Sequence, residues 1–244
     1  MNKKSTFFIF FSFLFLFAVR NVCARDFYWE NALKITSSDS RFPSSVYNEK
    51  TSVIFWQEVD SEKQQIWLAA QVYENGIWKK TGRFAGPFSY SGEVPDIYSA
   101  AIQDSGKIAV ALLSGVNVIS VYVSTDGGYS YECINLPAQE QPLVAPRIYA
   151  TEGDSFALFT SLGKNESFSI LYSKSADAFS WSEFSLFGPT ENFKNPFIPV
   201  LAKIPGGRMV VFQAQYSTEM RLSYQLYSTV SYDDGKTWSI PQLV

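Results

Sequence analysis

The 244 residues include no histidine. Ser-His-Asp and Cys-His nucleophilic catalysis are thereby excluded, together with most zinc centres and the facial-triad iron site, because each needs an imidazole as base or ligand. Chemistry is left to carboxylates, tyrosines and arginines, the groups used in glycoside hydrolysis. A guanidinium is planar, keeps its charge at any physiological pH and grips a carboxylate through two parallel hydrogen bonds. Two arginines stand beside prolines, Arg41 in Ser40-Arg41-Phe42-Pro43 and Arg147 in Ala145-Pro146-Arg147-Ile148. The acids of interest are Glu58 and Asp60, in Glu58-Val59-Asp60, and Asp96, two residues before Tyr98. No cofactor and no metal site is assigned.

The elements that must position these groups announce themselves through a repeated turn. Ser231-Tyr232-Asp233-Asp234-Gly235-Lys236-Thr237-Trp238 recurs as Ser124-Thr125-Asp126-Gly127-Gly128-Tyr129-Ser130-Tyr131. Such a segment is a β-hairpin: the Asp folds back onto backbone N–H groups, Gly supplies a positive φ, and the aromatic opens the next strand and packs inward. Two degenerate copies exist. Ser175-Ala176-Asp177-Ala178-Phe179-Ser180-Trp181 keeps Ser, Asp and Trp without the Gly, and Tyr73-Glu74-Asn75-Gly76-Ile77-Trp78 keeps an Asn-Gly turn and the Trp. Turn chemistry accounts for every residue of these motifs, so a structural role is expected of Ser124, Asp126, Gly128, Tyr131, Asp177, Trp181, Ser231, Asp233, Gly235 and Trp238.

The aromatics Trp78, Tyr131, Trp181 and Trp238 follow one another at 53, 50 and 57 residues, and Pro43, Pro95, Pro146 and Pro199 precede them by 35, 36, 35 and 39. A constant period of this size marks a repeat architecture. Each unit holds four strands: one after the proline, an apolar one such as Ile108–Leu113 that is buried on both faces, one alternating into the turn, and one beginning at the aromatic. Four antiparallel strands in about 50 residues make a propeller blade. The expected fold is therefore an all-β propeller with blades at about 41–86, 94–137, 145–188 and 196–244.

The two intact turns resemble the Asp-box of the sialidase (BNR) superfamily of β-propellers. That resemblance implies glycan substrates, sialylated ones in particular, and a tyrosine nucleophile. It also implies an arginine at the start of the first blade that grips the sugar carboxylate, a place held here by Arg41. The family expects a second arginine just past the next strand and then an aspartate as acid/base; this sequence has Val59 in the arginine's place, with Asp60 left as the candidate proton donor. Arg147, Asp96 and Tyr98 begin first strands and are expected to line the same cavity. The two functions implied are an exo-sialidase-type hydrolase and a non-catalytic propeller binding glycans or proteins at the cell surface. Trp29–Ile35 resembles a fourth strand, so residues 27–35 are expected to form a lone strand and the chain to be the N-terminal portion of a six-bladed ring, inactive by itself.

Residues 1–24 read as a secretory signal, with Lys3 and Lys4, an apolar stretch over Phe7–Val19 and a small-residue cleavage site at Val22-Cys23-Ala24. The mature domain is then 25–244, secreted, at the cell surface or periplasmic; a lipid anchor at Cys23 is the weaker alternative. The stretch is too short for a membrane span. Cleavage removes Lys3, Lys4 and Arg20 and takes the formal net charge from −3 to −6, which favours neither nucleic acid nor an anionic membrane as partner. Cys133 is left without a disulfide partner and is expected to be a buried, inert thiol. Asn165-Glu166-Ser167 has the glycosylation pattern.

Overall fold

A computed structural model describes residues 36, 38–144, 146–164, 167–187, 200–204, 208–216, 224–233 and 235–244. The chain divides into two units, Met1–Ser37 and Ser38–Val244. The expected signal segment, the strand at 27–35 and Cys23 fall in the first unit, outside the described residues, as do Asn165 and Glu166 within the second. All that follows concerns the second unit.

Among the described residues sixteen strands form four antiparallel four-stranded sheets, each built in chain order. Sheet 1 comprises β1 (Ser40–Tyr47), β2 (Thr51–Asp60), β3 (Gln65–Glu74) and β4 (Ile77–Ser89). Sheet 2 comprises β5 (Tyr98–Ile102), β6 (Ile108–Leu113), β7 (Ile119–Ser124) and β8 (Glu132–Asn135). Sheet 3 comprises β9 (Arg147–Ala150), β10 (Phe156–Lys164), β11 (Ser167–Ser175) and β12 (Ser185–Leu186), and sheet 4 comprises β13 (Val200–Ile204), β14 (Arg208–Tyr216), β15 (Tyr224–Ser231) and β16 (Gln242–Leu243).

The side-chain period of two explains how the sheets stack. On β6, Ile108, Val110 and Leu112 pack with Val53, Phe55, Leu68 and Val72 of sheet 1, whereas Ala109 and Ala111 turn to Ile148, Phe156 and Leu158 of sheet 3. On β10, Phe156 and Leu158 face sheet 2, and Ala157 and Phe159 face the layer that includes Leu201 and Trp238 of sheet 4. Interior sheets thus bury both faces, as their apolar runs require. The first strands lie side by side, β5 against both β1 and β9.

The strand order sorts the loops between two ends. The β1–β2 and β3–β4 hairpins and their counterparts share one end. There Asp126 accepts bonds from the N–H groups of Tyr129 (3.0 Å) and Ser130 (3.0 Å) and from the Ser130 hydroxyl (2.5 Å), and the Ser124 hydroxyl donates to Asp126 (2.8 Å) while accepting from Gly128 N–H (2.8 Å). Asp233 repeats this with Thr237 N–H (2.8 Å), the Thr237 hydroxyl (2.7 Å) and Ser231 (2.8 Å), and Gly235 N–H donates to Ser231 (2.7 Å). In the degenerate copy Asp177 accepts from Phe179 N–H (2.8 Å) and Ser180 N–H (2.7 Å), and Ala178 takes the left-handed place at φ 71° where the other copies have Gly128 and Gly235. The aromatics wedge between sheets: Tyr131 stacks on Phe84 at 4.2 Å, Trp181 donates its N–H to the Ala178 carbonyl (2.8 Å), and Trp238 meets Phe187 edge-on at 4.9 Å. Neighbouring hairpins are also clasped in series, Asn48 donating to the Gln103 carbonyl (3.2 Å) and Gln103 to the Ser155 carbonyl.

Two expectations are corrected. In sheets 3 and 4 the fourth strand starts four residues after the aromatic: Trp181 makes an isolated bridge with Ser175, and Trp181 and Trp238 both pack against core side chains ahead of the strand proper. Cys133 is exposed, not buried, since β8 is the outer edge strand and Glu132, Cys133 and Asn135 all face water. Among the described residues no helix is long and apolar enough to cross a membrane.

Candidate functional site

The other end of the molecule carries the starts of the first strands and the β2–β3 turn, and with them Arg41, Asp60, Asp96, Tyr98 and Arg147. Arg41 lies opposite Gln57 in the β1–β2 ladder, and the next recorded pair is Ser44 with Phe55, so β1 holds one extra residue there. At this bulge Phe42 adopts φ 50°. The Arg41 guanidinium is 45% exposed and bonds Asp39, Nη2 to Oδ2 at 3.2 Å and Nε to Oδ1 at 3.4 Å.

Gln57 joins sheet 1 to sheet 2. Fully buried, it donates to the Pro95 carbonyl (2.9 Å) and accepts from Ile97 N–H (3.1 Å), and so clamps the segment that presents Asp96. Asp96 meets Arg147 of β9 at 3.2 Å, and Arg147 also donates to the Pro146 (3.1 Å) and Tyr98 (3.5 Å) carbonyls. Tyr98 closes the chain of contacts by donating its hydroxyl to the Phe42 carbonyl at 2.6 Å. Burial raises the Tyr98 phenol far above its ordinary range, which makes it a hydrogen-bond donor and disqualifies it as a phenolate nucleophile. The structure therefore links β1, β5 and β9 through Phe42, Tyr98, Asp96 and Arg147, with Arg41 at the edge of the group.

Asp60 is the last residue of β2, at the same end. Its carboxylate accepts Lys63 N–H at 3.1 Å and pairs with Lys63 Nζ at 3.2 Å, and these contacts hold its pKa below the usual carboxylate value. A proton donor needs the opposite shift. No hydrogen bond or ion pair joins Asp60 to Arg41, Asp96 or Arg147 among the described residues. Val59, in the place where the resemblance wants an arginine, points into the core.

A second polar group escaped sequence reasoning. Arg83 of β4 reaches Glu58, Nε to Oε2 at 2.6 Å, and lies over the Trp67 ring at 4.2 Å, while Trp56 Nε1 donates to Glu58 Oε1 at 3.3 Å. The cation beside this acid comes from the fourth strand rather than from the residue after the acid. The available signal was register: a hairpin turning at 61–64 sets Glu58 opposite Trp67. No group of three or more acids or cysteines suited to a metal occurs among the described residues.

No family model and no curated protein matches the sequence. Solved structures do match. A protein of unknown function from Dyadobacter fermentans aligns with TM-score 0.59 at 16% identity, over 84% of this chain and 68% of its own. An α-L-arabinanase of Penicillium chrysogenum complexed with arabinobiose gives 0.58 at 14%, over 84% and 66%. An α-L-arabinofuranosidase of Fusarium graminearum, also with arabinobiose, gives 0.55 at 16%, over 80% and 63%. The chain thus spans about two thirds of the length of these structures. At such identities the likeness speaks for fold alone, and the two named enzymes are an arabinanase and an arabinofuranosidase rather than sialidases. The four antiparallel sheets are those of an all-β chain whose structural neighbours are β-propellers of a glycan-active class.

Proposed function

We propose that this protein is a carbohydrate-recognising β-propeller whose sheets are consecutive blades and whose saccharide site is the end bearing Arg41, Asp96, Tyr98 and Arg147. One observation carries the proposal: first strands of three sheets deliver two guanidiniums and two carboxylates to one end, with the Arg41 guanidinium half exposed beside Asp39. Sugars are held by such planar, bidentate donors and carboxylate acceptors. The likeness to arabinan-acting propellers supports the same class of ligand.

Binding stands ahead of hydrolysis in this proposal. A sialidase-type mechanism would have Arg41 grip a sugar carboxylate and Asp60 protonate the leaving oxygen, yet Asp60 is held ionised by Lys63 and Val59 supplies no second guanidinium. The exposed Arg41 is what still favours it. We also propose that residues 1–24 direct export, which N-terminal sequencing of the secreted product would check.

The test is calorimetric titration with arabinobiose, 3′-sialyllactose and a uronate-containing ulvan oligosaccharide, alongside a fluorogenic sialoside assay. Binding of at least one saccharide is expected, weakened tenfold or more by Arg41→Ala and by Arg147→Met. Because Arg41 sits in an exposed ion pair, Arg41→Ala should keep its stability to within about 1 kcal/mol, whereas Arg147→Met, which also gives up half-buried bonds to the Pro146 and Tyr98 carbonyls, should cost about 1–2 kcal/mol. Absence of binding to all three would overturn the proposal. Sialoside turnover abolished by Asp60→Asn would promote the hydrolase.

A further inference from the structure

The β1 bulge changes which side chain stands opposite Gln57. Continuing the ladder from Ser44 opposite Phe55 without the extra residue would set Phe42 opposite Gln57, on the face that packs against sheet 2. The bulge gives that place to Arg41. Phe42 is instead pushed out of the ladder, 38% exposed. Its backbone sits at φ 50°, a left-handed conformation that costs a bulky L-residue free energy. The Tyr98 hydroxyl on its carbonyl at 2.6 Å holds it there, against the bias of the following Pro43 towards extended backbone, which adds to the strain.

Two costs, an exposed aromatic and a strained backbone, meet at one residue, and that residue follows Arg41 directly in the chain. Bulges re-aim side chains beside functional sites, and strain of this kind persists where the surroundings over-determine it. An exposed aromatic residue adjacent in the chain to an exposed guanidinium fits one class of ligand well, a sugar ring, which offers a C–H face to the ring and hydroxyl or carboxylate oxygens to the guanidinium.

We propose that Phe42 is the stacking platform of the saccharide site, held out by the bulge so that a terminal sugar lies on its ring while Arg41 bonds the sugar's oxygens. This rests on the glycan assignment above and adds to it a residue and an orientation.

The experiment compares wild type, Phe42→Ala, Phe42→Gly, Phe42→Tyr and Phe42→Trp, using whichever of arabinobiose, 3′-sialyllactose or the ulvan oligosaccharide the wild type binds. Phe42→Ala and Phe42→Gly should weaken binding about tenfold, and Phe42→Tyr and Phe42→Trp should recover it to within about threefold. Phe42→Gly should also raise Tm by about 2 °C through release of the left-handed strain, so that its loss of affinity cannot be put down to unfolding. Wild-type binding left unchanged in both Phe42→Ala and Phe42→Gly would overturn the platform and leave the glycan assignment standing. Absence of wild-type binding would overturn both, and a lower Tm for Phe42→Gly would remove the strain on which the platform is argued.

Discussion

The two ends of the sheets solve different problems. At the box end each Asp is surrounded by donors from its own turn, three copies are nearly superimposable in their bonding, and hairpin is clasped to hairpin. At the arginine end nothing is repeated. Sheet 1 contributes a bulged guanidinium, sheet 2 an acid and a buried phenol, and sheet 3 a second guanidinium that bridges back to sheet 2. Repetition marks where the chain is being held together, and departure from it falls at the end proposed above as the saccharide site.

The comparison is broken most severely at Gln57, a single buried amide joining sheet 1 to the segment bearing Asp96. Gln57→Ala leaves a buried carbonyl and N–H without partners and opens a cavity, a loss of about 3 kcal/mol measured by urea denaturation. A loss below about 1 kcal/mol would mean that the arginine end is as redundantly held as the box end.

A smaller effect distinguishes copies within the box end. A Cβ on Gly128, at φ 101°, would lie 3.2 Å from the Tyr131 hydroxyl and from methyls of Val53 and Val72. Gly128→Ala should therefore destabilise by about 2 kcal/mol. Ala178 already bears that strain at φ 71°, and Ala178→Gly should stabilise by about 0.5 kcal/mol. Shifts of the same sign in the two variants would show that the copies are not equivalent turns.

Acid sharpens the contrast with the least disturbance at neutral pH. For Asp126, desolvation alone would raise the pKa, but the bonds from Ser130, Ser124 and Tyr129 outweigh it and hold the carboxyl at about 2. Asp233 is held at about 2 chiefly by the N–H and hydroxyl of Thr237. An unfolded Asp titrates near pH ~3.9, so the folded carboxylates bind protons less readily than the unfolded ones. Their stabilisation is complete above that value and drains away as pH falls towards 2. Tm followed from pH 6 to 2 should drop over that window, and Asp126→Asn with Asp233→Asn should flatten the drop.

Much of the sheet pattern was legible because its signals are local. The Asn75-Gly76 turn, the apolar run Ile108–Leu113 and the Ser-Asp-Gly spacing of the boxes each fix geometry within a few residues. The site was legible only in outline. Arg41, Asp96 and Arg147 could be placed at the starts of first strands, but the Asp96–Arg147 pair joins residues 51 apart across two sheets. The bulge that trades Phe42 for Arg41, and the cation Arg83 that reaches Glu58 from β4, depend on ladder register, which no short motif encodes. Cys133 was misjudged for a related reason, because an edge strand has no neighbour on its far side to cover it.

That uncovered thiol sits on the outer strand of sheet 2, in the strand that follows the Asp126 turn, and is the sole cysteine among the described residues. It offers a native handle for maleimide chemistry. A fluorophore or spin label attached there leaves Arg41, Phe42 and Arg147 untouched and would read out the saccharide binding proposed above without any engineered cysteine.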